Sequence, residues 1–239
     1  MATPSVRIAP EGPAGPVPAL VFVPDDPPPS LPLVLLGHGA HLGKDEPTMQ
    51  MLCGALTAVP AAVAIMDAPL HGERRPPGRE DDEWEADVLA AVGDPAVHAQ
   101  VAAEWPLVTA AARAAVPRVT GPVAYAGFSM GSILGLSVVG DLPEVRAAVF
   151  AVGGYVTEAR PHADRVNVLI RAGIPRLRDR EVLMVNMTAD ESFPVGRAIE
   201  VLEAIPGPCS MHLYVGGHRD LPPGAMPGIV RFLRRALAR

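Results

Sequence analysis

The chain has 239 residues and a formal net charge of −6, with 49% hydrophobic and 19% charged residues. That is enough apolar material for one large α/β domain or two small ones, and the acidic balance argues against a general nucleic-acid binder. No apolar run reaches the roughly 20 residues a membrane span needs.

Nineteen of the twenty basic residues are Arg, Lys44 being the exception, and with 28 Pro this reads as genomic base-composition bias. Residues 1–18 are rich in Pro and lack the apolar centre of a secretory leader, so a cytoplasmic location is expected. The two cysteines, Cys53 in a predicted helix and Cys209 just before a predicted strand, are expected to be reduced, packed thiols.

In chain order, residues 19–23 read as a strand closed by the turn PDDPPPS. Residues 33–36 form a short apolar strand buried on both faces, followed by the loop GHGAHLGKDEP. A helix is predicted over residues 46–57, with Pro47 in its first turn, and a strand over 63–66. DAPLHGERRPPGREDDE then reads as a long polar loop. Residues 94–116 are helical and Ala-rich. Asp94 caps them, Pro95 suits the first position, and Pro106 is expected to kink or split the helix. Strands follow at 123–126, 145–152, 182–187 and 211–215, with helices at 129–139, 195–204 and 229–237.

Strands alternating with helices predict a mostly parallel, doubly wound α/β sheet with helices on both faces. Neither a repeat nor a long linker divides the chain, so a single domain over 1–239 is expected. Residues 153–180, with six Arg, fit the alternation poorly and are expected to form a small cap insertion over one end of the sheet. Its apolar residues Tyr155, Val168, Leu169, Ile170 and Leu177 either line a pocket or pack the cap onto the domain.

Ser129 lies in Gly127-Phe128-Ser129-Met130-Gly131, where a buried strand turns into a helix. Small neighbours give clearance for a sharp turn, and the helix N-terminus beneath favours negative charge. A serine hydroxyl needs a base. Of the seven histidines, His38, His41, His71 and His98 precede Ser129, His162 falls in the cap, and His212 lies in a strand. His218, in the Gly-rich VGGHRD after the last strand, is the candidate base. Asp190, just past a strand in TADESFP, is the candidate acid, with Glu191 the alternative. The N–H groups of Met130 and Ala40 are the candidate oxyanion donors, with His41 the alternative to Ala40. His38 and His41 also form H-x-x-H, but no helical pattern pairs them and no further ligand is evident, so no metal site is expected.

The pieces GHGA, DAPLHGERR, GFSMG, TADESFP and GGHRD, in that order, resemble the α/β-hydrolase superfamily over nearly the whole chain. The loop around Asp67 and His71 looks like that of dienelactone-hydrolase-like and acetyl-esterase-like members. The resemblance implies that Asp67 and His71 shape the loop beside the site. Dienelactone hydrolases proper use Cys where Ser129 stands, and the His-Gly-Gly-Gly of hormone-sensitive lipases is absent. The expectation is a serine esterase acting on a small-molecule ester with no cofactor, through Ser129, Asp190 and His218. His41, His71 and Tyr155 are the candidate substrate contacts. A thioesterase, peptidase or acyltransferase with the same triad, or a non-catalytic binding protein, is the alternative.

Overall fold

The computed structural model describes residues 5–238; the first four residues of the stretch read as leaderless lie outside them. Ten strands follow in chain order: β1 (Ser5–Ile8), β2 (Glu11–Gly12), β3 (Gly15–Pro16), β4 (Ala19–Phe22), β5 (Leu31–Gly37), β6 (Ala62–Met66), β7 (Val119–Phe128), β8 (Val145–Ala151), β9 (Glu181–Met187) and β10 (Cys209–Tyr214). The helices are α1 (Pro47–Leu56), α2 (Asp81–Val92), α3 (Pro95–Ala115), α4 (Met130–Val138), α5 (Ala163–Gly173), α6 (Val195–Ala204) and α7 (Ala225–Leu237). Eight strands make one sheet in the order β1-β4-β6-β5-β7-β8-β9-β10, while β2 and β3 pair apart from it. From β6 to β10 every pairing is parallel, and only β4 and β1 run against their neighbours.

The central strands are apolar on both faces because both are covered. Leu31, Leu33, Leu35, Val123 and Tyr125 pack with residues of α2 through α6, whereas Val34, Leu36, Ala124 and Ala126 pack with α1 and α7. The chain leaves β5 towards β6 on one side, then crosses to β7 on the other. That reversal opens a crevice at the carboxyl ends of β5 and β7, the usual place for a ligand in an open α/β sheet.

Four expectations change. The polar stretch read as loop ends in the first turn of a helix, α2, which holds Asp81, Asp82 and Glu83, and the rest of α2 covers residues for which no element was expected. Acidic residues suit the positive end of a helix, and Val88 and Val92 anchor its inner side. Pro106 does not split α3, which runs unbroken. Pro106 is exposed and the carbonyl it orphans belongs to half-buried Ala102, on the outer side of the helix, while Val101, Trp105 and Val108 hold the buried side. Cys209 is exposed and opens β10 rather than preceding it, while Cys53 is buried as expected; both are free. The opening segment contributes β1, an antiparallel edge strand that the sequence reading left out.

Residues 153–180 also depart from expectation. They contain α5, which joins the parallel neighbours β8 and β9 and packs on α4, so close that a side chain on Gly173 would overlap the Leu136 carbonyl. Ile170 on its inner side lies in the core with Tyr155 and Leu177, while Val168 is 59% exposed. Leu177→Ala is accordingly expected to cost about 2–5 kcal/mol of stability, read from the urea midpoint at unchanged slope. No helix among the described residues is long and apolar enough to cross a membrane.

Candidate active site

Ser129 stands between β7 and α4 at φ 54°, ψ −112°. A non-glycine residue held there costs about 1–3 kcal/mol, and its surroundings must impose it. Ser129 N donates to the Ala151 carbonyl at 3.0 Å, and the Ser129 carbonyl accepts from Ser132 N at 2.8 Å and Ile133 N at 3.1 Å. The flanking glycines allow close approach. A Cβ on Gly131 would overlap the Gly37 carbonyl, and one on Gly127 the Gly131 carbonyl. From below, the buried Tyr125 hydroxyl donates to the Gly131 carbonyl at 2.7 Å.

Ser129 Oγ lies 2.9 Å from His218 Nε2, and His218 Nδ1 lies 2.9 Å from Asp190 Oδ2. His218 sits in the loop after β10, and Asp190 in the loop after β9. The other Asp190 oxygen accepts from the N–H groups of Ser192 at 2.8 Å and Phe193 at 2.9 Å. Burial alone would raise the Asp190 pKa. The hydrogen bond from His218 and the two backbone N–H groups outweigh it and hold the carboxyl below its ordinary value. An ionised carboxylate only accepts, so Nδ1 of His218 carries the proton and Nε2 is free to accept from the Ser129 hydroxyl. The Phe193 ring lies 5.5 Å from the His218 ring. Glu191, the alternative acid, is exposed.

The other expected site residues divide. Ala40 lies half-buried in the loop after β5. A Cβ on neighbouring Gly39 would meet Ser129 Cβ at 3.7 Å, so this loop runs beside the serine. Met130 opens α4, where a backbone N–H has no acceptor within the helix. His41 is exposed, 5.3 Å from the Trp84 ring. His38 is buried: its Nδ1–H donates to the Gly39 carbonyl at 2.8 Å and its Nε2 accepts from Ala68 N at 3.0 Å. With both nitrogens of His38 engaged, H-x-x-H is not assembled as a ligand pair. His71 is buried between the His38 and Trp84 rings, with Nδ1 on the Pro69 carbonyl at 2.8 Å. Burial pushes the His71 pKa down to about 3 and lowers that of His38, which favours the neutral form of both rings. Tyr155 is 5% exposed, in the core, with the Arg171 guanidinium over its ring.

The sequence reading missed an ionic cluster behind the β5 loop. Lys44 and Asp67 are both completely buried, and the ammonium donates to Asp67 Oδ2 at 3.0 Å and Asp45 Oδ2 at 2.6 Å, and also to Glu73. Arg74 pairs in fork geometry with buried Glu104 on α3, at 2.8 and 2.7 Å. The available signal was compositional: Lys44 is the only lysine in the chain.

No protein-family model matches this sequence, and no curated protein does. Solved structures do match. A cold-adapted esterase from an Arctic intertidal metagenomic library superposes with TM-score 0.80 at 21% identity, covering 99% of this chain and 95% of that one. An acetyl xylan esterase from Paenibacillus sp. R4 gives 0.76 at 17% identity, covering 99% and 85%. The esterase Pf2001 of Pyrococcus furiosus gives 0.71 at 13%, covering 98% and 94%.

The chain has the α/β-hydrolase fold.

Within the α/β-hydrolase fold, a serine on a strained strand-to-helix turn, followed in the chain by an acid and then a histidine, is the arrangement that exposes a nucleophile at the carboxyl edge of the sheet. Here Ser129, Asp190 and His218 follow that order, on loops leaving β7, β9 and β10.

Proposed function

We propose that the protein is a serine hydrolase that cleaves carboxylic esters of small molecules through an acyl-enzyme. The observation that carries this reading is the unbroken hydrogen-bonded line from Ser129 Oγ through His218 to buried Asp190. The fold shared with several solved esterases supports it.

In the proposed reaction Ser129 Oγ attacks the acyl carbon while His218 Nε2 takes its proton. Asp190 keeps the imidazole in the required tautomer and stabilises the imidazolium. The N–H groups of Met130 and Ala40 receive the oxyanion. His218 then returns the proton to the departing alcohol. It next takes a proton from water, whose oxygen attacks the acyl carbon, and it returns that proton to Ser129 Oγ as the acyl–serine bond breaks and the acid leaves. The scheme calls for no cofactor.

We also propose that the chain is one domain, a reading supported by the eight-stranded sheet that has β1 at one edge and β10 at the other. In the same reading residues 153–180 act mainly as a crossover that backs the site, and exposed His41 is the first of the three candidate contacts to meet substrate.

A panel of p-nitrophenyl acetate, butyrate and octanoate beside an acyl-thioester and an aminoacyl anilide tests the reaction class. The oxygen esters are expected to turn over and the anilide to be inert. A kcat/KM for the thioester or the anilide above that of every oxygen ester would move the assignment to that bond.

A further inference from the structure

The one lysine of this chain is a puzzle on composition alone, since every other basic position is Arg. It is more so by location. Lys44 is wholly buried, yet charged side chains are almost never so unless paired. An Arg would present a larger planar fork; what the space behind the β5 loop holds is a compact ammonium facing three carboxylates.

The contacts describe a latch between two loops. Asp67 directly follows β6, so its carboxylate is fixed to the sheet. Its Oδ1 accepts the Lys44 backbone N–H at 2.8 Å, and its Oδ2 accepts the Lys44 ammonium at 3.0 Å. Both the main chain and the side chain of Lys44 are thus held by one carboxylate. Oδ2 also accepts Glu73 N at 3.0 Å, and a side chain on Gly72 would overlap the same carboxylate. Glu73 and Asp45 close the cluster from the outer side, with Arg7 of β1 bridging them.

The near end of this loop is also held, where Gly37 ends β5 in close packing against Gly131 of α4. Between the anchors lie Gly39, which borders Ser129, Ala40, and His41 at φ 62°. A short segment fixed at both ends has its N–H directions set by the anchors. We propose that Lys44 is a positioning residue: its buried ammonium, clamped to Asp67, aims the Ala40 N–H at the oxyanion that forms on the substrate of Ser129. This rests on the hydrolase reading above. Burial would lower the Lys44 pKa, but the three carboxylates outweigh it and raise it, so the latch stays charged throughout the working range of a histidine base.

A donor displaced by about 1 Å costs on the order of a hundredfold in rate, and its loss about 10²–10³. Lys44→Met keeps the length of the side chain and removes the charge. With p-nitrophenyl acetate it is expected to lower kcat about ten- to hundredfold with KM within about twofold. Affinity for a trifluoromethyl ketone, which forms an oxyanion on the serine, should fall in proportion to kcat/KM. Glu73→Gln leaves the buried pair in place and should show a several-fold loss in the same direction, which keeps the test open if the methionine variant does not fold. A kcat unchanged in either soluble variant, or a loss confined to KM or to thermal midpoint, would overturn the latch and leave Lys44 a packing residue. Labelling of wild-type Ser129 by diisopropyl fluorophosphate, done first, separates the two claims. A labelled wild type with unaffected variants sinks the latch alone, and a wild type neither labelled nor active sinks both.

Discussion

Ser129→Ala is expected to remove ester turnover almost completely, with a fall in kcat on the order of 10⁶ and an unchanged circular dichroism spectrum. The size follows from what the hydroxyl does in the proposed reaction: it forms the bond to the acyl carbon, and it is the oxygen that stands 2.9 Å from His218 Nε2. The fold should survive because the turn is held by main-chain hydrogen bonds, to the Ala151 carbonyl and from the N–H groups of Ser132 and Ile133, none of which involves the side chain. Ser129→Gly sharpens the test. It removes the Cβ that makes φ 54° unfavourable, so it should be equally inactive and unfold at a Tm no lower than the wild type. A glycine variant that unfolds well below the wild type would show that the turn carries no strain.

Asp190→Asn is expected to cost about 10⁴ in kcat, whereas Glu191→Gln changes it less than about threefold. The mechanism of the loss is specific. The amide oxygen of Asn can still accept from Ser192 N and Phe193 N, which leaves its NH₂ facing His218 Nδ1. Nδ1 must then accept, the ring proton moves to Nε2, and the imidazole can no longer accept from Ser129. The same substitution tests stability. The folded pKa of Asp190 is depressed, so its ionised form stabilises the fold above the ordinary carboxylate value, and that contribution fades as pH falls through the lowered folded value. The acid limb of the unfolding curve should therefore be shallower in Asp190→Asn. Steady-state kinetics that rank Glu191→Gln as the worse variant would reassign the acid.

How much of this was legible in the sequence depended on how local the signal was. The buried central strands were readable because both faces are covered and the runs are continuously apolar. The cap at Asp94 and the turn at Ser129 were readable because helix starts and tight glycines carry chemistry within a few residues. Helix α2 is hidden in the sequence because a run of acids suits a solvated loop as well as the first turn of a helix. β1 was lost because an edge strand has half the burial and little pattern. The split that Pro106 allowed did not occur because the residue stands at an exposed position, where a lost hydrogen bond costs little. The segment 153–180 misled because its many Arg masked a helix whose inner face, with Val166 and Ile170, is apolar. Ser129, His218 and Asp190 could be ordered along the chain from motif and strand ends. The Lys44–Asp67 pair could not, since a pairing between two loops leaves no periodicity behind, only the oddity of a single lysine.

The central claim is that Ser129 is an ester-cleaving nucleophile activated by His218. Its most direct test is titration of the wild-type protein with diisopropyl fluorophosphate, following p-nitrophenyl acetate hydrolysis and mapping the adduct by peptide mass spectrometry. The expected result is loss of activity in step with one adduct per chain, carried by the peptide containing Ser129. Activity that persists after complete labelling, or an adduct on another residue that accounts for the loss, would contradict it.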